Sequence, residues 1–113
     1  MKEVKIINDT YRLLKWILPI LAKYPRNYRY SLGMRIENCL YELLELFQMA
    51  YLKESKSIVL TQADVKLEHL RLLIRLSHDL HLFDQTIHHA IIEQMEGIGK
   101  QLGGWQRSIP KGL

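Results

Sequence analysis

Apolar residues recur at helical spacing in four stretches of the chain, and each stretch predicts one helix. In the first, Ile7, Tyr11, Leu14, Leu18 and Leu21 alternate steps of four and three, the period of one buried face, and Leu13, Ile17 and Ile20 widen it. This helix is expected from Lys2 or Asn8 to Tyr24, with Pro19 removing a hydrogen bond and bending it. Pro25 disfavours helix at Tyr24 and ends it there. Arg26 and Arg29 then fall in a loop, where Asn27 and Ser31 offer capping oxygens to a second helix. That helix is expected from Ser31 or Leu32 to about Glu54, with Leu32, Ile36, Cys39, Leu40, Leu43, Leu44, Phe47, Ala50 and Tyr51 on its apolar face.

Residues 55–60, SKSIVL, read as a connection, with Thr61 as N-cap of the third helix and Asp64 completing an approximate capping box. Val65, Leu70, Leu73, Leu76 and Leu80 form its expected core stripe, broadened by Leu67, Leu72 and Ile74. So much apolar surface around one helix implies burial on more than one side, and hence an oligomer interface. Asp84 is the expected cap of the fourth helix, whose stripe is Ile87, Ile91, Met95, Ile98, Leu102 and Trp105. Gly97, Gly99, Gly103 and Gly104 either let another backbone approach or end that helix at Gly103, and a mobile tail is expected over about residues 107–113. Short connections between long helices predict one all-α domain over residues 1–113, an antiparallel up-down four-helix bundle.

Charge changes the picture more than composition does. Residues 1–35 carry eight Lys/Arg against Glu3 and Asp9, a net +6, whereas residues 36–113 carry eight against ten acids, a net −2. This asymmetry points to a positive region facing an anionic partner. The chain has no apolar run of transmembrane length and no apolar signal core near Met1, so no membrane partner and a cytoplasmic location are expected. The single cysteine, Cys39, sits at an apolar helical position and reads as a buried structural thiol.

Candidate chemistry is sparse. His78 and His81 suit a helix C-terminus, and His69, His88 and His89 add no set of three or four convergent ligands, so no metal is expected. The Glu-x-x-His signature of di-iron bundles, a phosphate-cradling glycine loop and a nucleophile–base pairing are all missing, so neither a cofactor nor a catalytic residue is assigned. The arginines remain. Arg26, Arg29 and Arg35 gather at the corner between the first two helices, among Tyr24, Tyr28 and Tyr30. Arg71 and Arg75 lie one turn apart on the third helix, where like charges repel unless Glu68 and Asp79 offset them or an anion binds. Aromatic and basic residues together suit stacking on unpaired bases with phosphate contact; the alternative is a solvated basic face with tyrosines packed at helix ends.

Three stretches carry a family resemblance. They are Tyr24-Pro25-Arg26 with Arg29-Tyr30-Ser31-Leu32-Gly33, Arg35-Ile36 and Leu43-Leu44-Glu45-Leu46; Leu67 to Leu76 followed by Asp79-Leu80; and Ile98-Gly99 to Leu102-Gly103-Gly104-Trp105. In this order they resemble the accessory variability determinant (Avd) family, small four-helix-bundle proteins of diversity-generating retroelements. The resemblance implies a ring-like homopentamer with a basic surface that binds the retroelement reverse transcriptase and its template RNA or RNA/DNA. It implies support for mutagenic reverse transcription without catalysis. Arg26, Arg29, Arg35, Arg71 and Arg75 are the candidate nucleic-acid contacts, assigned from charge and placement. Two other readings are a protein-only oligomeric scaffold and a four-helix protein of the kind encoded in ribosomal RNA intervening sequences.

Overall fold

The computed structural model describes residues 2–52 and 56–110. The described residues form four long helices: α1 (Lys2–Ala22), α2 (Met34–Leu52), α3 (Lys56–Asp79) and α4 (Gln85–Ser108). No strand occurs among the described residues. Each helix packs on its neighbours in sequence, and α1 closes the ring against α4. The result is an antiparallel bundle measuring 45 × 23 × 20 Å, as four helices of this length side by side require.

The helix faces are set by what the core removes from water. On α1 the buried line is Ile6, Thr10, Leu13, Leu14, Ile17 and Leu21, one position off the expected stripe, so that Ile7 and Leu18 are only partly buried and Tyr11 is exposed. Thr10 is tolerated there because its hydroxyl donates to the Ile6 carbonyl at 2.8 Å. The helix runs on past Pro19 to Ala22, and the carbonyl that Pro19 cannot serve belongs to exposed Lys15, within reach of water. The expected core of α2 holds at Leu32, Ile36, Cys39, Leu40, Leu43, Phe47 and Ala50, whereas Leu44 is partly buried and Tyr51 is exposed. Glu54 and the start of the expected connection lie outside the described residues.

α3 corrects two expectations. It is already helical at Lys56, so Thr61 is not its cap; the Thr61 hydroxyl instead donates to the Ser57 carbonyl at 2.9 Å inside the helix. Val59, Leu60, Ala63, Leu67, Leu70, Ile74 and Ser77 are its buried residues. Val65, Leu76 and Leu80, expected in the core, are exposed, together with Ile58 and Leu72. Ile58, Val65, Leu72 and Leu76 are spaced by seven, seven and four, which puts them on one line of the helix facing away from the core.

α3 stops in a Schellman turn. His81 takes a left-handed conformation, φ 58°, while the Leu82 N–H donates to the Ser77 carbonyl and the His81 N–H to the His78 carbonyl, both at 3.0 Å. α4 starts as expected, with Asp84 Oδ1 accepting from the Ile87 N–H at 2.8 Å. Ile91, Met95, Ile98, Leu102 and Trp105 are all buried, and the helix continues through Gly103 and Gly104 to Ser108. Arg107 and Ser108, expected in a tail, form its last turn, and residues 111–113 lie outside the described set. Gly99 does admit a close neighbour, but a side chain rather than a backbone: a Cβ there would sit 2.7 Å from Arg71 Nη2.

Tyr24 is the fully buried hinge between these helices. Its ring meets Phe83 with centroids 6.5 Å apart, and a Cβ on Gly33 would come within 3.5 Å of it. Burial raises the Tyr24 phenol above its ordinary pKa and the nearby Ser77 hydroxyl lowers it, but neither oxygen makes a hydrogen bond of ordinary geometry. Tyr24→Ala should therefore cost about 3–5 kcal/mol in urea unfolding. Tyr24→Phe, which keeps the ring and removes a buried unpaired hydroxyl, should cost little or nothing. Equal losses in the two variants would show that the hydroxyl, not the ring, holds the corner.

Candidate nucleic-acid interface

The corner after Pro25 is helical rather than a loop. Arg26–Tyr28 form one turn, with the Tyr28 and Arg29 N–H groups donating to the Pro25 carbonyl at 2.8 and 2.9 Å. Arg29–Gly33 follow as a π-helical turn that runs directly into α2. Asn27 and Ser31 therefore do not cap a helix start; the Ser31 hydroxyl donates backwards to the Asn27 carbonyl at 3.0 Å. The π turn adds a residue to the helical repeat and rotates the faces of the helix beyond it. Leu32 and Gly33 both end up buried, while Arg29, Tyr30 and Ser31 face solvent. Gly33 suits this fit, since a Cβ there would lie 3.3 Å from the Tyr28 carbonyl oxygen, a tight contact that the turn would have to relieve.

The five candidate arginines differ in how their charges are met among the described residues. Arg26 and Arg29 share the corner, and Arg35 follows on the first turns of α2; all three are exposed and none has a carboxylate within ion-pairing distance among the described residues. The Arg29 guanidinium lies 5.9 Å from the centroid of Tyr30, whose side chain is 65% exposed and so offers a free aromatic face. Arg71 and Arg75 behave differently. Arg71 donates to Glu68 Oε1 at 2.8 Å and lies across Gly99, and Arg75 reaches Asp79 at 3.9 Å. Their charges are offset along their own helix, one of the two explanations the sequence left open.

Lys66 on α3 pairs with Glu42 on α2, and its carbonyl accepts from the Cys39 thiol at 3.5 Å. Burial pushes Cys39 up to about 11, against the lowering influence of Lys66, so almost no thiolate exists near neutral pH. Asp9 ties α1 to α4. Burial raises its pKa, but hydrogen bonds from Lys5 at 2.9 Å and Gln101 at 2.7 Å, with the charges of Lys5 and Arg12, outweigh that and hold it below the usual carboxylate value. Sequence reasoning missed the Asp9–Gln101 contact because its partners are 92 residues apart.

Two of the histidines meet, but no group of three or more His, Cys, Asp or Glu side chains that could hold a metal occurs among the described residues. His78 instead stacks on His88 with ring centroids 3.9 Å apart, beside Phe83, and hydrogen-bonds Gln85 at 3.0 Å. Among the described residues no helix is long and apolar enough to cross a membrane.

An all-helical, antiparallel four-helix bundle with a basic corner defines the class of this molecule. Within that class the chain belongs to the bAvd-like family, which matches it over residues 4–109 and bears out the Avd resemblance. A search of curated proteins finds no significant match.

The stacked histidines generate a pH prediction. Burial and the neighbouring His78 lower the His88 pKa, with Asp79 opposing and His89 adding to the effect. A pKa lowered by folding means that the unfolded chain takes up the proton first as pH falls. The contribution to stability is thus present above the ordinary histidine range and is lost below it. Melting followed by circular dichroism should show a larger drop in Tm from about pH 7.5 to about pH 5 in the native chain than in His88→Gln. The same drop in both would exclude this pair as the cause.

Proposed function

We propose that this protein is a non-catalytic accessory factor of a diversity-generating retroelement. It acts in the cytoplasm, binds template RNA and the reverse transcriptase, and supports mutagenic reverse transcription. Family membership supports this reading, since Avd-like proteins are accessory rather than catalytic. The observation that carries the RNA contact is the set of exposed guanidinium groups at Arg26, Arg29 and Arg35, none ion-paired among the described residues, with the exposed ring of Tyr30 beside Arg29. Guanidinium groups with no carboxylate partner can replace counterions on phosphates, and an exposed tyrosine can stack a base. Arg71 and Arg75 contribute less, because binding must first compete with Glu68 and Asp79.

Assembly is read from α3. The line Ile58, Val65, Leu72 and Leu76 is unsatisfied apolar surface on the outside of the bundle, with Val65 68% and Leu72 60% exposed. We assign it to contact between copies in a ring-like homo-oligomer, a pentamer by family likeness. A ring repeats the weak corner site of each protomer and converts it into avid binding.

Two measurements test this. Arg26→Glu with Arg29→Glu should abolish most RNA binding, and neutralising the same pair with Gln should reduce the log–log salt slope by about 1.4 for single strands. Charge reversal of Arg71 and Arg75 should weaken binding by a smaller factor; a larger one would relocate the site to α3. Val65→Glu with Leu72→Glu should lower the mass measured by light scattering while leaving the helical circular dichroism spectrum unchanged. An unchanged mass would remove α3 as the seam. Capture of the reverse transcriptase without any RNA affinity at low salt would favour a protein-only scaffold.

A further inference from the structure

A cleft of about 420 Å³ opens between the start of α1 and the end of α4, at the opposite end of the bundle from the arginine corner. Its volume falls in the range of small-ligand sites, roughly 300–1,000 Å³. Trp105 forms part of its largely apolar wall. Gly104 lines it without a side chain, and a Cβ there would have room, with nothing nearer than Arg107 Nη2 at 4.0 Å. Lys5 and Lys100 line it as well. Lys100 has no carboxylate within ion-pairing distance among the described residues, and Lys5, though paired with Asp9, keeps a side chain 67% exposed.

Gln101 adds a specific polar group. Its Nε2 donates to Asp9, which leaves its buried Oε1 without a hydrogen-bond partner among the described residues. Gln101 also lines the cleft, so a turn of its side chain would bring this buried acceptor to a ligand N–H, which would recover the free energy that leaving it unpaired costs. The outer face of α1 then links this cleft to the corner. Lys5, Arg12 and Lys15 are exposed on one side of the helix with Trp16 alongside, and exposed Lys23 follows just past its end; Asp9 pairs with Lys5 and Arg12. Four cations against one acid leave a net-positive line, which matches a polyanion rather than a single small anion.

We propose that the cleft takes one nucleotide of a single-stranded nucleic acid that tracks along α1. The base lies against Trp105 and donates an N–H to Gln101 Oε1, and the phosphate sits between Lys5 and Lys100. A bare anion would leave the indole wall unused, and a fatty acid would offer no donor to Gln101. The proposal rests on the RNA-binding reading but uses residues outside the five arginines assigned to it.

The test is a titration with AMP, read by tryptophan fluorescence. Of the two tryptophans, Trp16 is replaced by Phe so that Trp105 alone reports. AMP should give a saturable change that inorganic phosphate does not. Lys100→Gln should weaken AMP by on the order of tenfold. Gly104→Leu should abolish the response without loss of helix, because the position has room and Gly is the poorer helix former. No saturable change at millimolar AMP, an equal response to phosphate, or an undiminished response in Gly104→Leu would each overturn the proposal. Filter binding of an oligoribonucleotide to the same protein separates the two readings. RNA retained with a silent Trp105 removes the cleft and leaves the accessory function. An AMP response without RNA retention removes that function and, with it, the single-stranded occupant of the cleft.

Discussion

Tyr24 reaches full burial because α1 stops just short of it and Pro25 turns the chain away, so that its ring is driven into the space where the C-terminal end of α3 and the start of α4 meet. Everything at that end of the bundle is arranged around this ring. Gly33 has no side chain where the π turn crosses it, Ser77 is the small residue α3 presents to it, and Phe83 closes the turn from the other side. With the ring in place the chain must reverse within a few residues. The π turn accomplishes this by burying Leu32 and Gly33 together, and the residues between Tyr24 and Leu32 are left on the outside. The basic corner is thus a by-product of packing an aromatic side chain, and its arginines are held out from the core by the same geometry that fills it.

How much of this could be read from the chain differs by element. α4 was legible at its start and along its core: one cap, Asp84, precedes apolar steps of four and three, and both are local signals, whereas Gly103 and Gly104, which the helix runs past to Ser108, obscured its end. α1 was legible as a helix but not in phase. Apolar residues occupy Leu13, Leu14, Ile17, Leu18, Ile20 and Leu21, and a pattern that wide admits neighbouring choices of face. α3 misled because β-branched Ile58, Val59 and Thr61 look like a break, whereas burial of Val59 and Leu60 outweighs their weak helix propensity. Its core stripe misled for a related reason: an apolar line on each side of one helix cannot be ranked without knowing where the other helices stand.

The candidate interface divides along the same physical boundary. Partners three or four residues away are visible in a sequence, and Glu68–Arg71 and Arg75–Asp79 were foreseeable as self-neutralising pairs. Contacts such as Lys66–Glu42 and Asp9–Gln101 depend on which helices become neighbours, and nothing local announces them. That Arg26, Arg29 and Arg35 have no ion-paired acid from another helix among the described residues belongs to this second kind, since it depends on which helices become neighbours.

An even number of antiparallel helices also fixes where attachments emerge. The first turns of α1 and the last turns of α4 lie side by side, since Lys5 and Ser108 line the same cleft, while the Tyr24 corner lies at the far end of a molecule 45 Å long. The bundle is therefore polar as an object for tethering. A label, linker or immobilising surface joined through either helix leaves the arginine corner projecting freely, and the same joint crowds the neighbourhood of Trp105. Tethering geometry alone can silence one end of the molecule while leaving the other untouched.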